Sequence, residues 1–321
     1  MAAVHGILLL DKPPGLSSNA ALQRVRRLFA PLNGGERPAA GHTGSLDPLA
    51  TGMLPVCLGE ATKVAGLMLA GRKAYETEIA LGQRTGTGDT EGEVIEESPV
   101  PELTRAAVEA QLRALTGTQL QRPPMYSAIH SGGVRLYELA RRGIEVEREP
   151  RPIEIHSIDL VALEPGRVTL SVVCSKGTYI RVLGEDVALS LGTVGHLARL
   201  HRRWVEPFES AAMHPLAELE RVAQRDTQAL GALVLPIERA LAGLDEVYLG
   251  LEAARRLTQG QRVHAEGVAG LKAVYGPDRC LLGIGELALD GSLRARRLFT
   301  WAVGSMGCAT RGAVERVPGG R

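Results

Sequence analysis

The chain has 321 residues, of which 45% are hydrophobic and 23% are charged, and its formal net charge is +1. This length favours two domains over a single core, and the near-zero charge excludes a diffuse positive field, so any RNA contact must come from local basic clusters. The four cysteines form no CxxC pair, which argues against a zinc knuckle or a disulfide framework and fits a reducing compartment.

The chain offers no segment that predicts membrane association. No apolar run approaches the roughly 18 residues of a membrane span. The apolar residues 7–10 are too few for the core of a signal peptide, and they lead directly into Asp11 and Lys12. We therefore expect a cytoplasmic protein that does not enter a membrane.

The first predicted elements are a strand, a turn and a helix. Residues 6–10 read as a short buried strand that ends before the Pro-Pro-Gly turn at residues 13–15. The helix that follows has its apolar residues on one face and its arginines elsewhere, and its N-cap is expected within residues 17–19.

A loop rich in glycine and hydroxyl side chains comes next, with the sequence GHTGSLDPLATG at residues 41–52. It shows no helix or strand periodicity, and its glycines permit tight bends or close approach to a ligand. Its carboxylate, Asp47, is a candidate nucleophile or acid/base, because loops on a rigid scaffold commonly carry chemistry. Asp47 followed by Pro48 equally fits the N-cap and first turn of a helix.

Strands and helices alternate beyond this loop without a GxGxxG motif or a βαβ rhythm. Strands are predicted at residues 75–81, 168–173 and 177–182, and an amphipathic helix at residues 103–115. The glycine- and threonine-rich residues 82–92 lack the Gly-Lys-Ser/Thr end of a phosphate-binding loop and the ligand spacing of a calcium loop. We expect an α+β fold with a mixed or antiparallel sheet.

The last third of the chain divides into a helical stretch, a small β-rich module and a tail. Residues 209–240 read as mostly helical, and short strands are predicted at residues 273–275 and 281–286. Residues 304–321 have little to pack and are predicted to be a disordered tail.

Several motifs, in the same order along the chain, resemble those of the TruB family of bacterial tRNA pseudouridine synthases. They are DKPPGLSS at residues 11–18, GHTGSLDPLATG at residues 41–52, LGQRTGTGDTEG at residues 81–92 and SKGTYIR at residues 175–181. The resemblance implies an enzyme that isomerises uridine to pseudouridine at position 55, in the T-loop of tRNA. It also implies that the reaction needs no cofactor and no metal.

The resemblance makes Asp47 the nucleophile and Arg181 its partner. Asp47 would attack either the anomeric carbon of the sugar or the uracil ring, and the sequence does not separate these two routes. A bidentate Arg181 would orient the carboxylate and keep it ionised. Without the motifs, Arg181 would be interpreted as a surface arginine on a strand.

Four further residues would handle the substrate. The resemblance places Tyr75 as a catalytic residue that stacks on the flipped uracil, with Tyr179 as a second aromatic group. It places His42 beside the extruded nucleotide and Leu200 on the wall of the uracil pocket. On residue type alone, the two tyrosines and Leu200 fit core packing, and His42 fits a structural turn.

The domain boundaries follow the resemblance. We expect a pseudouridine synthase catalytic domain over residues 1–240, an insertion that grips RNA over about 122–150, and a PUA-like RNA-binding module over residues 244–303. A small barrel without a ligand is the alternative for this module. Within the insertion, residues 130–134 stand where the family usually carries lysines, which puts phosphate contacts from that tip in doubt.

RNA contact would fall to local basic clusters, since the net charge is close to zero. The clusters are Arg24-Arg26-Arg27, Arg141-Arg142, Arg199-Arg202-Arg203 and Arg294-Arg296-Arg297. The expected partner is the T-arm of tRNA, bound by a monomer with no obligatory protein partner. The alternatives are a synthase that acts on ribosomal or guide-directed RNA, and a tRNA-binding folding factor in which catalysis is secondary.

Overall fold

The computed structural model describes residues 3–127 and 129–304, so the predicted tail lies, from residue 305 onward, outside the described residues. The strands are β1 (Gly6–Lys12), β2 (Ala40–His42), β3 (Thr51–Leu58), β4 (Lys73–Leu81), β5 (Gln83–Thr85), β6 (Val94–Glu97), β7 (Gly117–Gln121), β8 (His130–Ser131), β9 (Val134–Arg135), β10 (Arg151–Glu164), β11 (Arg167–Cys174), β12 (Gly195–Val205), β13 (His214–Pro215), β14 (Asp245–Tyr248), β15 (Val263–His264), β16 (Gly270–Tyr275), β17 (Leu281–Leu287) and β18 (Ser292–Leu298).

The helices alternate with these strands. They are α1 (Ser18–Leu28), α2 (Ala65–Ala70), α3 (Arg105–Ala114), α4 (Leu136–Ala140), α5 (Ile180–Ser190), α6 (Leu216–Arg225), α7 (Ala229–Ala232), α8 (Leu251–Thr258) and α9 (Thr300–Gly304), with 3₁₀ turns at Pro31–Asn33, Gly59–Val64, Ile237–Leu241 and Pro277–Arg279. Among the described residues, none of these helices combines the length and the hydropathy of a membrane-spanning segment.

A large mixed sheet forms the centre of the molecule. Its strand order is β13-β1-β3-β12-β4-β11-β10-β7, and β2 pairs with β3 beside this path. The β1–β13 and β3–β12 pairs are parallel, whereas the other pairs are antiparallel. The expected α+β class with a mixed sheet is therefore confirmed.

A second, five-stranded sheet is built from the C-terminal part of the chain. Its order is β14-β16-β17-β18-β15, with β14 and β16 parallel and the remaining pairs antiparallel. The strands predicted at residues 273–275 and 281–286 lie within β16 and β17. The β-rich character of this module is confirmed.

The side chains of β1 contribute alternately to two hydrophobic clusters, because successive side chains of a strand point to opposite faces. Leu8 and Leu10 pack with helices α1, α3, α5 and α6 on one face of the large sheet. Ile7 and Leu9 point to the other face, where they share a cluster with Phe299 and other residues of the C-terminal module. The two sheets are thus joined by a common core.

The helix α1 forms as its sequence predicts. The Ser17 side chain caps it by accepting a hydrogen bond from the Ala20 N–H at 3.1 Å. Its buried residues include Ala21, Leu22 and Val25, which recur at the spacing of one helical face.

Two sequence-based expectations are wrong. Residues 177–182 do not form a strand, because α5 begins at Ile180 and buries Ile180, Leu183 and Val187 at helical spacing. The short window favoured a strand, since the helical period appears only when residues up to 190 are included. Residues 41–52 are not wholly irregular either, because their ends lie in β2 and β3.

Candidate active site

A cavity of about 500 Å³ opens beside residues 43–50, which we call the Asp47 loop. Its walls include Asp47, Tyr75, Tyr179, Arg181 and Leu200, and its volume lies within the range of small-molecule sites, roughly 300–1,000 Å³. The structure therefore brings together five of the six residues singled out from the sequence. They come from the Asp47 loop, β4, β12 and the start of α5.

Asp47 is not a helix cap, because no helix follows Pro48. Its side chain is 38% exposed, and its Oδ2 lies 3.0 Å from Nε of Arg181, whose side chain is only 5% exposed. The Asp47 carboxylate is thus a half-buried group that faces the cavity and pairs with a buried cation.

Arg181 is held by backbone carbonyls as well as by Asp47. Its Nη1 donates to the Thr87 carbonyl at 2.9 Å, and its Nη2 donates to the Tyr126 carbonyl at 2.7 Å. Because both terminal nitrogens are engaged there, Nε makes the contact with Asp47. The pairing goes through one nitrogen rather than through the bidentate fork that the sequence suggested.

A second carboxylate, Asp89, shares the same guanidinium and was missed as a site residue. It is 3% exposed, and its Oδ2 lies 3.7 Å from Nε of Arg181. Its Oδ1 accepts hydrogen bonds from the Thr87 hydroxyl at 2.5 Å and from the Glu91 N–H at 3.0 Å. The signal was present, since Asp89 is the aspartate of the LGQRTGTGDTEG motif.

The pKa of Asp47 reflects this arrangement. Burial raises the pKa of its carboxyl above the ordinary value, the Arg181 guanidinium opposes that rise, and the Asp89 carboxylate adds to it. The Lys12 ammonium also opposes the rise. Asp47 is therefore more basic than an ordinary aspartate, yet it faces a cation that favours its ionised form.

Buried cations hold the Asp47 loop on two sides, and neither was predicted to do so. Nζ of Lys12 donates to the Pro48 carbonyl at 3.3 Å. Arg202 donates from Nη2 to the Gly44 carbonyl at 2.9 Å and from Nε to the Met53 carbonyl at 2.7 Å. Since Arg202 is buried, it is not the surface member of a basic cluster that the sequence suggested.

Tyr75 and Leu200 form an apolar part of the cavity wall. Both side chains are buried, and they come from neighbouring strands, β4 and β12. Burial raises the pKa of the Tyr75 phenol, so the ring stays neutral at physiological pH. A neutral ring next to an aliphatic side chain suits the binding of a planar base.

Tyr179 is positioned by Gln121 at the end of β7. The Gln121 amide donates to the Tyr179 carbonyl at 3.1 Å, and its oxygen accepts from the Tyr179 N–H at 2.7 Å. This reciprocal pair of hydrogen bonds fixes the backbone of Tyr179, the residue before α5, and Arg181 follows two residues later. Tyr179 lies in the turn before α5 rather than in a strand.

His42 is the predicted site residue that the structure does not bring to the cavity. It lies in β2 opposite Val56, and it is not among the described residues that line the cavity. Its Nδ1 is buried without a hydrogen-bond partner in the described part of the chain. Burial, together with Arg202, lowers the pKa of the imidazole, which is therefore neutral at physiological pH.

The expected RNA-gripping insertion reaches the cavity through α4. Tyr137 and Arg141 line the cavity, and the guanidinium of Arg141 lies 5.5 Å from the centre of the Tyr137 ring. The guanidinium of Arg135 lies 6.0 Å from the same ring. Arg135 belongs to the β8–β9 hairpin at residues 130–135.

Metal ligands are not grouped near this cavity or elsewhere in the described ranges. No set of three or more His, Cys, Asp or Glu side chains among residues 3–127 and 129–304 could hold a metal ion. The titratable residues that line the cavity are carboxylates, guanidinium groups, phenols and one ammonium group, and these supply the chemistry available there.

Three family models match consecutive parts of the chain. The model of the TruB family pseudouridylate synthase (N terminal domain) matches residues 34–180. The model of the tRNA pseudouridylate synthase B C-terminal domain matches residues 181–242, and that of pseudouridine synthase II TruB, C-terminal, matches residues 246–299.

Curated relatives match over nearly the whole chain. The tRNA pseudouridine synthase B of Nitrosococcus oceani is 46% identical over 298 residues, which cover 92% of this chain and 95% of that protein. The tRNA pseudouridine synthase B of Stutzerimonas stutzeri is 47% identical over 299 residues, which cover 92% and 96%.

Two solved structures share the fold. A Cbf5-Nop10-Gar1 complex matches with a TM-score of 0.68 and 22% identity over 94% of this chain and 81% of that chain. An H/ACA RNP bound to a substrate RNA containing 2′-deoxyuridine matches with a TM-score of 0.69 and 21% identity, covering 92% and 85%. At this identity, the two matches show the fold alone.

Proposed function

This chain belongs to the TruB family of pseudouridylate synthases, which are isomerases, and on that premise we propose that it converts uridine to pseudouridine at position 55 in the T-loop of tRNA. We further propose that Asp47 is the nucleophile and that the uridine is flipped out of the RNA to reach it. The observation that supports this assignment is the Asp47–Arg181 ion pair at the wall of the cavity.

The reaction needs a nucleophile and a pocket that retains the detached base. The bond between the sugar and N1 of uracil breaks, and a new bond forms between the sugar and a ring carbon. That carbon loses its proton and N1 gains one, so the product is an isomer of uridine. Because uracil is only reattached, no external reductant, oxidant or group donor takes part. A cavity walled by Tyr75, Tyr179 and Leu200 can hold the base while it turns.

Asp47 can supply the electron pair in either of two ways. It can attack the anomeric carbon of the sugar, so that uracil leaves with the N1 bonding pair, or it can add to the uracil ring. In both routes the carboxylate must be ionised and oriented, which the Arg181 Nε at 3.0 Å favours. The backbone carbonyls that hold Arg181 keep this geometry preorganised.

The separate roles of the catalytic domain and of the C-terminal module are also part of the proposal. Residues 1–240 would carry the catalysis, with the insertion at about 122–150 gripping the RNA, and residues 244–303 would bind RNA as a PUA-like module. The substrate would be the T-arm of tRNA, bound by a monomer with no obligatory protein partner. Residue-level roles for His42 and Tyr179 in substrate binding belong to the same proposal.

The direct test is to incubate the purified protein with an unmodified tRNA transcript and to map pseudouridine by nucleotide. Modification at uridine 55 alone is the expected result. Modification only of ribosomal RNA fragments would support the first alternative function. Accelerated tRNA folding without any modification would support the second, a folding factor.

The pH dependence of turnover should reveal the raised pKa of Asp47. Only the ionised carboxylate is a nucleophile, so the single-turnover rate should fall as the pH decreases through this pKa. The fall should begin above the ordinary aspartate value of about 3.9, because burial raises the pKa. Rates are measured on prebound tRNA, with circular dichroism as the control for folding. A rate that stays constant down to about pH 4 would contradict the assignment.

Removal of single charges in the C-terminal module should show whether it contacts RNA. Arg294 and Arg296 both pair with Glu286, at 2.6 Å and 2.9 Å, so the three arginines of this cluster are not equally free. Arg297 is exposed and has no acidic partner in the described part of the chain. We expect Arg297→Gln to weaken tRNA binding and to flatten the slope of log affinity against log salt by about 0.9.

The matched control for Arg297→Gln is Arg294→Gln, which should change the slope little because Glu286 already offsets that charge. No change in either variant would mean that this face does not contact RNA. Point substitutions are preferable to deletion of residues 244–321, because deletion would strip Phe299 and Tyr275 from the core shared with Ile7.

A further inference from the structure

Lys73 lies in the cavity without a role in the chemistry described above. It is the first residue of β4, two residues before Tyr75, and both side chains line the cavity. Residues i and i+2 of a strand face the same side and lie about 6.7 Å apart. Lys73 therefore stands about one strand repeat away from the ring that would stack on the base.

The Lys73 ammonium has a donor to spare. Its Nζ donates to the Gly71 carbonyl at 2.7 Å and to the Leu69 carbonyl at 3.2 Å, which leaves one of its three N–H bonds for another acceptor. No carboxylate pairs with this ammonium among residues 3–127 and 129–304. Glu206, the acid that influences it, is bonded to Arg72 through both carboxylate oxygens.

Two more cations surround Lys73. Arg202 is 1% exposed and bonds two backbone carbonyls and the Tyr75 hydroxyl, and Lys176 lies at the exposed turn before Tyr179. Burial, the charge of Arg202 and, to a smaller extent, that of Lys176 lower the pKa of Lys73 to about 8. Lys73 itself is only 7% exposed. A buried charge without a counter-ion is costly, and an incoming anion would offset that cost.

Gly44 lies against Arg202 and Lys73 at the cavity wall. A Cβ at this position would lie 3.5 Å from Nη1 of Arg202 and 3.6 Å from Cε of Lys73. The backbone φ of +96° at Gly44 favours glycine here. The carboxylates of the cavity, Asp47, Asp89 and Glu91, lie instead near Arg181. The cavity thus has an acidic side and a cationic side.

We propose that Lys73, supported by Arg202 and by Lys176 at the rim, binds the backbone phosphate next to the flipped nucleotide. The inference rests on the proposed function, since it takes the ligand to be RNA with its base against Tyr75. A phosphodiester supplies a negative charge for the Lys73 ammonium, which pairs with no carboxylate in the described ranges, and an acceptor oxygen for its spare N–H.

The first measurement is the salt dependence of RNA binding. A T-arm hairpin is titrated with Asp47→Asn protein, so that the RNA is not converted, and with the same protein carrying Lys73→Met. Loss of one phosphate contact should flatten the slope by about 0.9 and weaken binding about eightfold at 0.1 M salt. Lys73→Arg should retain most of the slope, and Arg113→Gln, an exposed arginine of α3 outside the cavity lining, should retain all of it.

The second measurement removes the charge from the RNA instead. One phosphodiester next to the target uridine is replaced by a neutral methylphosphonate, in one RNA on the 5′ side of the uridine and in another on its 3′ side. In each RNA the sugar that precedes the methylphosphonate is a deoxyribose. An all-phosphate RNA with the same deoxyribose is the control. At one of the two linkages, the neutral group should weaken binding about eightfold with Lys73 present and not at all with Lys73→Met.

The inference is overturned if, at both linkages, the losses of affinity from Lys73→Met and from the neutral linkage simply add. It is also overturned if Lys73→Met leaves the salt slope of RNA binding unchanged. If Lys73→Met does not fold, the same four binding measurements are made with the exposed Lys176→Gln in its place. If the losses of affinity from the protein change and the RNA change are additive there, the inference is overturned as well. Pseudouridine formation by the unaltered protein is measured in parallel. Absence of that product would refute the proposed function, whereas additive losses with normal product would refute only the phosphate subsite.

Discussion

Replacing Asp47 with asparagine should give a folded protein that binds tRNA almost normally and makes no detectable pseudouridine. The amide keeps the shape of the side chain and loses the charge that makes it a nucleophile. Because Asp47 pairs with Arg181 through one contact and is not a helix cap, its loss should leave the fold intact. Product is measured by nucleotide mapping after prolonged incubation, and binding by titration of the same preparation.

The matched control for Asp47→Asn is Asp89→Asn, which removes the charge of the second carboxylate near Nε of Arg181. This variant should retain measurable turnover at a reduced rate, because Asp89 lies farther from Nε of Arg181 than Asp47 does, at 3.7 Å against 3.0 Å, and the closer pair remains. Substantial product from Asp47→Asn, in a preparation shown to be free of the unaltered enzyme, would refute Asp47 as the nucleophile. Failure to fold would instead indicate a structural role for the loop carboxylate.

Tyr75→Leu should lose far more turnover than affinity. Extrusion of a uridine costs a few kcal/mol, which the pocket recovers by stacking, and stacking on one aromatic side chain contributes about 1–3 kcal/mol. We expect the single-turnover rate to fall on the order of ten- to a hundredfold. Affinity should change little, since most of it comes from phosphate contacts elsewhere.

Tyr75→Phe separates stacking from the hydroxyl group. It retains the ring, so it should keep most of the rate that Tyr75→Leu loses. Thermal unfolding of both variants serves as the control, because Tyr75 is buried in the main core and its truncation could destabilise the fold. Equal losses of rate and affinity in Tyr75→Leu would indicate a structural tyrosine.

Local elements were predictable where an apolar run or a helical repeat was clear over several residues. The strand β1 is confirmed as a buried apolar run, and the helix α3 is confirmed because its buried residues follow the helical repeat. The prediction failed at residues 177–182, where β-branched and aromatic residues suggested a strand over a window too short to reveal the helix α5. Tertiary packing on one face of α5 determined the result.

Only some residues of the candidate site could be predicted from the sequence. The motifs singled out Asp47 and Arg181, and the structure places them 3.0 Å apart, although their roles remain predictions. Lys12 and Arg202 could not be assigned from sequence, because they act on backbone carbonyls far along the chain, such as that of Met53 for Arg202. The pattern of residue types along a sequence does not indicate a hydrogen bond to a backbone carbonyl that is distant in the chain.

The core shared between the two sheets has a thermodynamic consequence. Ile7 and Leu9 of β1 pack in the same cluster as Phe299 and Tyr275, so neither sheet can open without exposing apolar surface on the other. Their stabilities are therefore coupled, and the fraction of molecules with an assembled cavity depends partly on side chains that never approach RNA. A loss of packing at Phe299 would act on catalysis through the population of the native state, and leave the chemistry of each folded molecule unaltered.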